Sequence, residues 1–147
     1  GADTGDTPAG LGAGDAAWRL RRDAATDRSR ARIAAPDFAF DLELDPAAPP
    51  LLQGDAGFSR KGPRESQASR YYSRPQVRVT GRLQVGGAGG AVSGRAWFDH
   101  EWSTEILDGD AVGWDWTGLN LDDGGALMAF RIRRRDGGVA WADAPLR

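Results

Sequence analysis

From Gln76 to Val85 the chain alternates with a period of two, setting Val77, Val79, Leu83 and Val85 against Gln76, Arg78, Thr80, Arg82 and Gln84. A helix would scatter these apolar side chains around its axis, whereas a strand gathers them on one face. The Gly86-Gly87-Ala88-Gly89-Gly90 loop supplies the positive φ that tight turns need, and Ala91 resumes an extended run, so the segment reads as a hairpin. Asp122-Asp123-Gly124-Gly125 and Asp136-Gly137-Gly138 repeat the device, separating strands over Gly113–Leu121, Ala126–Arg134 and Val139–Ala142. No helical period of comparable length competes. The expected fold is all-β and antiparallel, with hairpins closing into an up-and-down barrel or a pair of curved sheets.

The first half of the chain is less regular. Gly1–Asp15 is Gly, Ala, Asp, Thr and Pro with almost no bulky side chain, and reads as a flexible segment that contributes little to stability. Between Ala16 and Ala35 the run Trp18 to Arg22 alternates as a short strand does, though its Ala-rich flanks would also tolerate a helix. Phe38, Phe40, Leu42 and Leu44 share one face of a stronger strand, which Pro46, Pro49 and Pro50 end. Gly54 to Gly62 reads as an irregular connection carrying Phe58, and a further strand begins near Arg70.

Composition narrows the function classes. A net charge of −2 gives no global basic field, which argues against a nucleic-acid partner. Without cysteine there is no disulfide, no thiolate nucleophile and no Cys-ligated metal. Lys61 is the one lysine among many arginines, a bias that coding preference explains. No run approaches the ~20 apolar residues of a membrane-spanning helix, and Gly1–Gly14 lacks the basic and apolar parts of a signal peptide. There is no Gly-x-Ser-x-Gly elbow and no phosphate-binding glycine loop, so no cofactor is implied.

Chemistry concentrates in Trp97-Phe98-Asp99-His100-Glu101-Trp102. On a strand Trp97, Asp99 and Glu101 share one face, while Phe98, His100 and Trp102 share the other. A carboxyl packed beside apolar rings is suited to donate a proton, and the rings can stabilise a cation that this creates. The plainer alternative is that Asp99 and Glu101 are solvated or paired with Arg, the indoles being ordinary core. Trp114-Asp115-Trp116 repeats an acid between two indoles, so paired strands would set two acidic and aromatic ladders side by side; cross-strand packing explains the same Trp pair. Tyr71 and Tyr72 add phenols able to donate hydrogen bonds into a cavity. Asp99, His100 and Glu101 point alternately, so no metal site is expected, and Ser103 is the one serine close to the single His100. Bringing Trp102 beside Asp99 requires a bulge between His100 and Trp102.

Leu52-Gln53-Gly54-Asp55, Ser59-Arg60-Lys61-Gly62, Tyr71-Tyr72-Ser73, Gly94 to Trp102 and Gly113-Trp114-Asp115-Trp116 occur in that order. Together they resemble the carotenoid 1,2-hydratase (hydroxyneurosporene synthase) and AttH-like family of lipocalin-like proteins, from about Phe38 to Arg147. The resemblance implies two lipocalin-like β domains in a longer chain, with residues 16–75 the end of the first domain and its connection, and 76–147 the meander that carries the site. In the hydratases a Tyr-x-Asp-x-x-Trp stretch protonates a polyene double bond and stabilises the cation that water captures. Trp97, Asp99 and Trp102 match those positions as catalytic residues, Trp97 standing in place of Tyr and Glu101 in place of an amide. The Asp-His-Glu-Trp form is closer to the branch described as predicted secreted hydrolases, and related fungal proteins are pericyclases. The resemblance therefore implies an extracytoplasmic protein that binds an apolar, isoprenoid-like or lipid-like molecule reached from a membrane surface. Tyr71, Tyr72, His100, Glu101, Trp114 and Trp116 would line its site. Acid-catalysed hydration or isomerisation through Asp99 is the leading activity, with a non-catalytic carrier or a hydrolase as alternatives.

Overall fold

The computed structural model describes residues 18–104 and 107–147, so Gly1–Asp15 lies outside the described residues. Among the described residues there is no helix. The described residues form ten strands: β1 (Arg19–Arg22), β2 (Ser29–Ala34), β3 (Phe38–Asp45), β4 (Leu51–Leu52), β5 (Phe58–Arg60), β6 (Ala68–Val85), β7 (Ala88–Trp102), β8 (Ala111–Asn120), β9 (Ala126–Arg134) and β10 (Val139–Asp143). β1 to β7 make one sheet and β8 to β10 a second, every described ladder between them being antiparallel. The sheets are not closed into a barrel, so these hairpins build two open antiparallel sheets and not the up-and-down barrel.

The chain divides into two compact units. One runs to Ala47 and takes in Val77–Ala96; the other comprises Ala48–Gln76 and Trp97–Arg147. In the first, β3 lies between β2 and β6, with Ile33 opposite Phe40, Phe40 opposite Leu83 and Phe38 opposite Val85. This is the apolar parity of the sequence, now on one face. The other face is a ladder of ion pairs, in which Asp41 takes Arg30 at 2.7 Å and Arg32 at 3.1 Å, and Asp45 takes Arg78 at 2.7 Å. Hydrogen bonding from Arg30 and Arg78 holds the Asp41 and Asp45 carboxyls below the usual range. The β6–β7 turn is tighter than expected: Gly86 and Gly87 alone make it, at φ 56° and 83°, and β7 starts at Ala88. Two consecutive positive φ values are the signature of a type I′ turn, whose twist matches that of the strands it joins.

In the second unit Tyr71, Met128, Phe130 and Ile132 form the buried core, with Trp97, Leu107 and Trp141 packed against it. β9 supplies three of these four because its alternate residues face inward, while Arg131 and Arg133 point the other way. Gln76 is the joint of β6. At φ 57° its N–H donates to the Asn120 side chain at 2.7 Å, and its side-chain amide donates to the Leu121 and Gly125 carbonyls at 2.8 Å each, tying β6 to the β8–β9 turn. Met128→Ala removes a fully buried side chain from this core and should cost about 2–5 kcal/mol in urea unfolding. The exposed Val139→Ala should cost less than about 0.5 kcal/mol, and equal losses would show that the core lies elsewhere.

Candidate functional site

Alternation along β6 and β7 decides which side chains meet. Ser69, Tyr71 and Ser73 of β6 fall on the face that carries Trp97, Asp99 and Glu101 of β7. Asp99 Oδ1 accepts hydrogen bonds from Ser73 Oγ at 2.5 Å and from the Trp97 indole N–H at 2.7 Å. Ser73 in turn accepts from Gln53 Nε2 at 2.7 Å, which makes a directed chain from amide to hydroxyl to carboxyl. Trp97 meets Trp116 edge to face, with ring centroids 6.0 Å apart. The Trp116 indole N–H donates to the Tyr71 hydroxyl at 3.1 Å. Burial pushes the Tyr71 phenol above its ordinary range, and the nearby Asp99 charge adds to this against the bond from Trp116. Tyr71 is accordingly a neutral phenol across the physiological range.

A second polar cluster sits on the same face. Lys61, only 5% exposed, places Nζ 2.9 Å from Glu101 Oε1 and donates to Ser59 Oγ at 2.9 Å. Its ammonium also lies 4.1 Å from the Phe130 ring centroid and 4.7 Å from that of Tyr71. Ser69 Oγ donates to the same Glu101 oxygen at 2.5 Å. Burial lowers the Lys61 pKa, and the Glu101 carboxylate opposes that shift. Two buried polar atoms have no hydrogen-bond partner among the described residues: Gln53 Oε1 and Arg60 Nε. Arg60 lays its guanidinium 4.6 Å over the Trp141 ring, whereas the Gln53 acceptor has no such compensation and carries a desolvation cost of about 1–3 kcal/mol.

The structure therefore brings together Asp99, Trp97, Tyr71, Trp116 and Glu101. It does not bring Trp102 to them. The Trp102 ring packs on His100 at 5.0 Å, and His100 packs on Tyr72 at 5.3 Å, with the Tyr72 hydroxyl 3.0 Å from His100 Nδ1. Trp102, His100 and Tyr72 thus occupy the opposite face, because the strand keeps its parity through Glu101, and Trp102 is 52% exposed. Trp114 is 60% exposed. Asp115 makes no second acidic ladder beside Asp99: it pairs across to Arg131 at 2.6 Å and Arg133 at 3.2 Å, and bonding from Arg131 keeps its pKa low. Ser103 donates to the Ala68 carbonyl at 2.6 Å. Gln53, Ser59, Lys61, Ser69 and Ser73 were not singled out as site residues, although Gln53, Ser59, Lys61 and Ser73 lie inside the motifs that carry the family resemblance.

Glu101→Ala tests the ion pair. Leaving Lys61 buried without its carboxylate should cost about 3 kcal/mol at neutral pH. Lys61 already binds its proton less tightly folded than unfolded, and losing Glu101 widens that difference, so stability of the variant should rise as pH climbs toward the ordinary lysine range. A deficit that does not change with pH in denaturant titrations would mean that Lys61 is not the group left unpaired.

A family model described as AttH-like matches residues 3–147. The dehydratase asqC of Emericella nidulans is 28% identical over 142 residues, covering 95% of this chain and 39% of its own length. A crystal structure assigned to an AttH of Nitrosomonas europaea aligns with TM-score 0.85 and 51% identity, over 88% of this chain and 40% of that one. Kievitone hydratase of Nectria haematococca aligns with TM-score 0.70 and 18% identity, over 96% of this chain and 43% of the other, a likeness of fold. The chain thus spans about two fifths of the length of these relatives. With nearly the whole chain inside the family model, the protein belongs to the AttH-like family.

Proposed function

We propose that this chain carries a hydratase or dehydratase site for an apolar, unsaturated molecule, with Asp99 as the acid. The observation that supports this most directly is the fixing of one Asp99 oxygen by Ser73 and Trp97 within a cluster of aromatic side chains. Both bonds fall on Oδ1, so the carboxyl is oriented while Oδ2 carries neither of them. In hydration the Asp99 proton passes to one carbon of a double bond, and a cation develops on the other carbon. The ring faces of Trp97 and Trp116 stabilise that charge, each such contact contributing about 0.5–2 kcal/mol. Water then captures the cation. Run backwards, Asp99 protonates a hydroxyl, water leaves, and the Asp99 carboxylate takes a proton from the neighbouring carbon to form the double bond, so a hydratase and a dehydratase among the relatives require one site and not two. Trp116 takes the place that the family resemblance gives to Trp102. A trisubstituted alkene or the matching tertiary alcohol is the fitting class, since protonation then gives the most stabilised cation.

The test is incubation of the chain in D2O with kievitone and a panel of trisubstituted alkenes and tertiary alcohols, read by mass spectrometry. Wild type should add water to an alkene with one deuterium incorporated at carbon, or remove water from an alcohol with loss of one carbon-bound hydrogen. Asp99→Asn keeps an oxygen for Ser73 and Trp97 but has no proton to give. Turnover should fall about 10²–10⁴-fold while ligand affinity, followed by Trp fluorescence, stays close to wild type. Binding without deuterium incorporation in either protein would instead favour a carrier.

A further inference from the structure

Gln53 is fully buried at the end of β4, and its side chain is held in one orientation. Its backbone N–H donates to the Tyr71 carbonyl at 3.1 Å, and Gly54 follows at φ 63°, where an added Cβ would collide with the Phe58 carbonyl oxygen. Ser73 spends its hydroxyl proton on Asp99, so toward Gln53 it can only accept. The amide must therefore present Nε2 to Ser73 and turn Oε1 away. That Oε1 is the buried acceptor with no partner, so the orphan is a direct consequence of how Asp99 is held. Buried polar atoms of this kind are commonly satisfied by internal water.

We infer that Gln53 is the water-holding residue of the site, its Oε1 accepting a hydrogen bond from the water that adds to the substrate. This rests on the acid–base reading above and assigns that reaction its second reactant. The Asp99 O–H bond breaks as the π pair of the alkene forms the new C–H bond, leaving a cation and the Asp99 carboxylate. A lone pair of the held water then forms the C–O bond. The proton this water sheds goes to the carboxylate and restores the acid. Alkene and water become alcohol with nothing oxidised or reduced. The amide and the carboxyl hang on the same Ser73 hydroxyl, at 2.7 and 2.5 Å, which ties the residue that holds the water to the group that must take its proton.

The experiment has two arms on the full chain. Water-oxygen-17 relaxation dispersion counts long-lived internal waters without any substrate. Wild type should hold one more such water than Gln53→Leu, and Gln53→Glu, which keeps an acceptor, should retain it. Equal counts in wild type and Gln53→Leu overturn the proposal. Should the leucine variant fail to fold, Gln53→Met supplies the same comparison. The second arm uses the alkene panel in D2O and in 18O-water. Gln53→Leu should still place deuterium on recovered alkene, while formation of 18O-alcohol drops about 10- to 100-fold, the rate equivalent of one buried hydrogen bond. A parallel fall of both labels would make Gln53 a support for Asp99 through Ser73 and overturn its role as water holder. Absence of deuterium incorporation in wild type would sink the acid–base reading, and with it Gln53's part in the addition, whereas the water count still decides whether Gln53 holds a water.

Discussion

Everything chemical in this chain depends on the parity of two paired strands. A strand sends successive side chains to opposite faces, so β6 divides Ser69, Tyr71 and Ser73 from Tyr72, and β7 divides Trp97, Asp99 and Glu101 from Phe98, His100 and Trp102. A shift of one residue in either strand would exchange the acid for the histidine. Register is secured from outside the two strands. Gln76 leaves the ladder and binds the β8–β9 turn by three hydrogen bonds, and Tyr71 is locked into the core by Met128, Phe130 and Ile132. Tyr71, with Trp97 packed against the core, thus belongs both to what stabilises the unit and to the face that carries Asp99.

That coincidence forces polar groups into a place where water is scarce, and the two clusters meet the problem differently. Around Glu101 the answer is charge compensation: an ammonium, two serine hydroxyls and the faces of two rings surround one carboxylate oxygen and its partner. Around Asp99 it is a chain of neutral donors, Gln53 to Ser73 and Trp97 beside it. The first arrangement contains its own counter-ion and is costly to break. The second orients its carboxyl through neutral groups.

Much of the fold was legible because the signal was strong and local. Ala126–Arg134 coincides with β9, since a dry face and Asp-Gly-Gly punctuation mark both ends. Phe38 to Leu44 likewise became β3. β2 was not separated from β1, because Ser29–Ala34 alternates Arg with Ala and offers only Ile33 as a large apolar anchor. β6 runs unbroken through Pro75 and Gln76, where the sequence suggests two strands. Its continuity comes from the partners of Gln76, which lie more than forty residues away. The same limit applied to the site. Asp99 stood out through the density of aromatic and acidic residues around it, but Gln53, Lys61 and Ser73 became its surroundings only through pairings of β4, β5 and β6 that no period announces. Barrel closure failed for a related reason: alternation says which face is dry, and not whether the last strand returns to the first.

The proposed chemistry accounts for the mixture of residue types on one face. A cation needs walls that stabilise charge without attacking it, which indoles do and carboxylates or amines do not. An acid needs orientation without a permanent counter-ion, which serine and indole N–H groups give. Water needs an acceptor that cannot itself bond to the cation before the water does, and a buried amide oxygen turned away from the acid fits that requirement. Since each group serves both the forward and the reverse step, direction follows from which molecule occupies the site and from the supply of water to it.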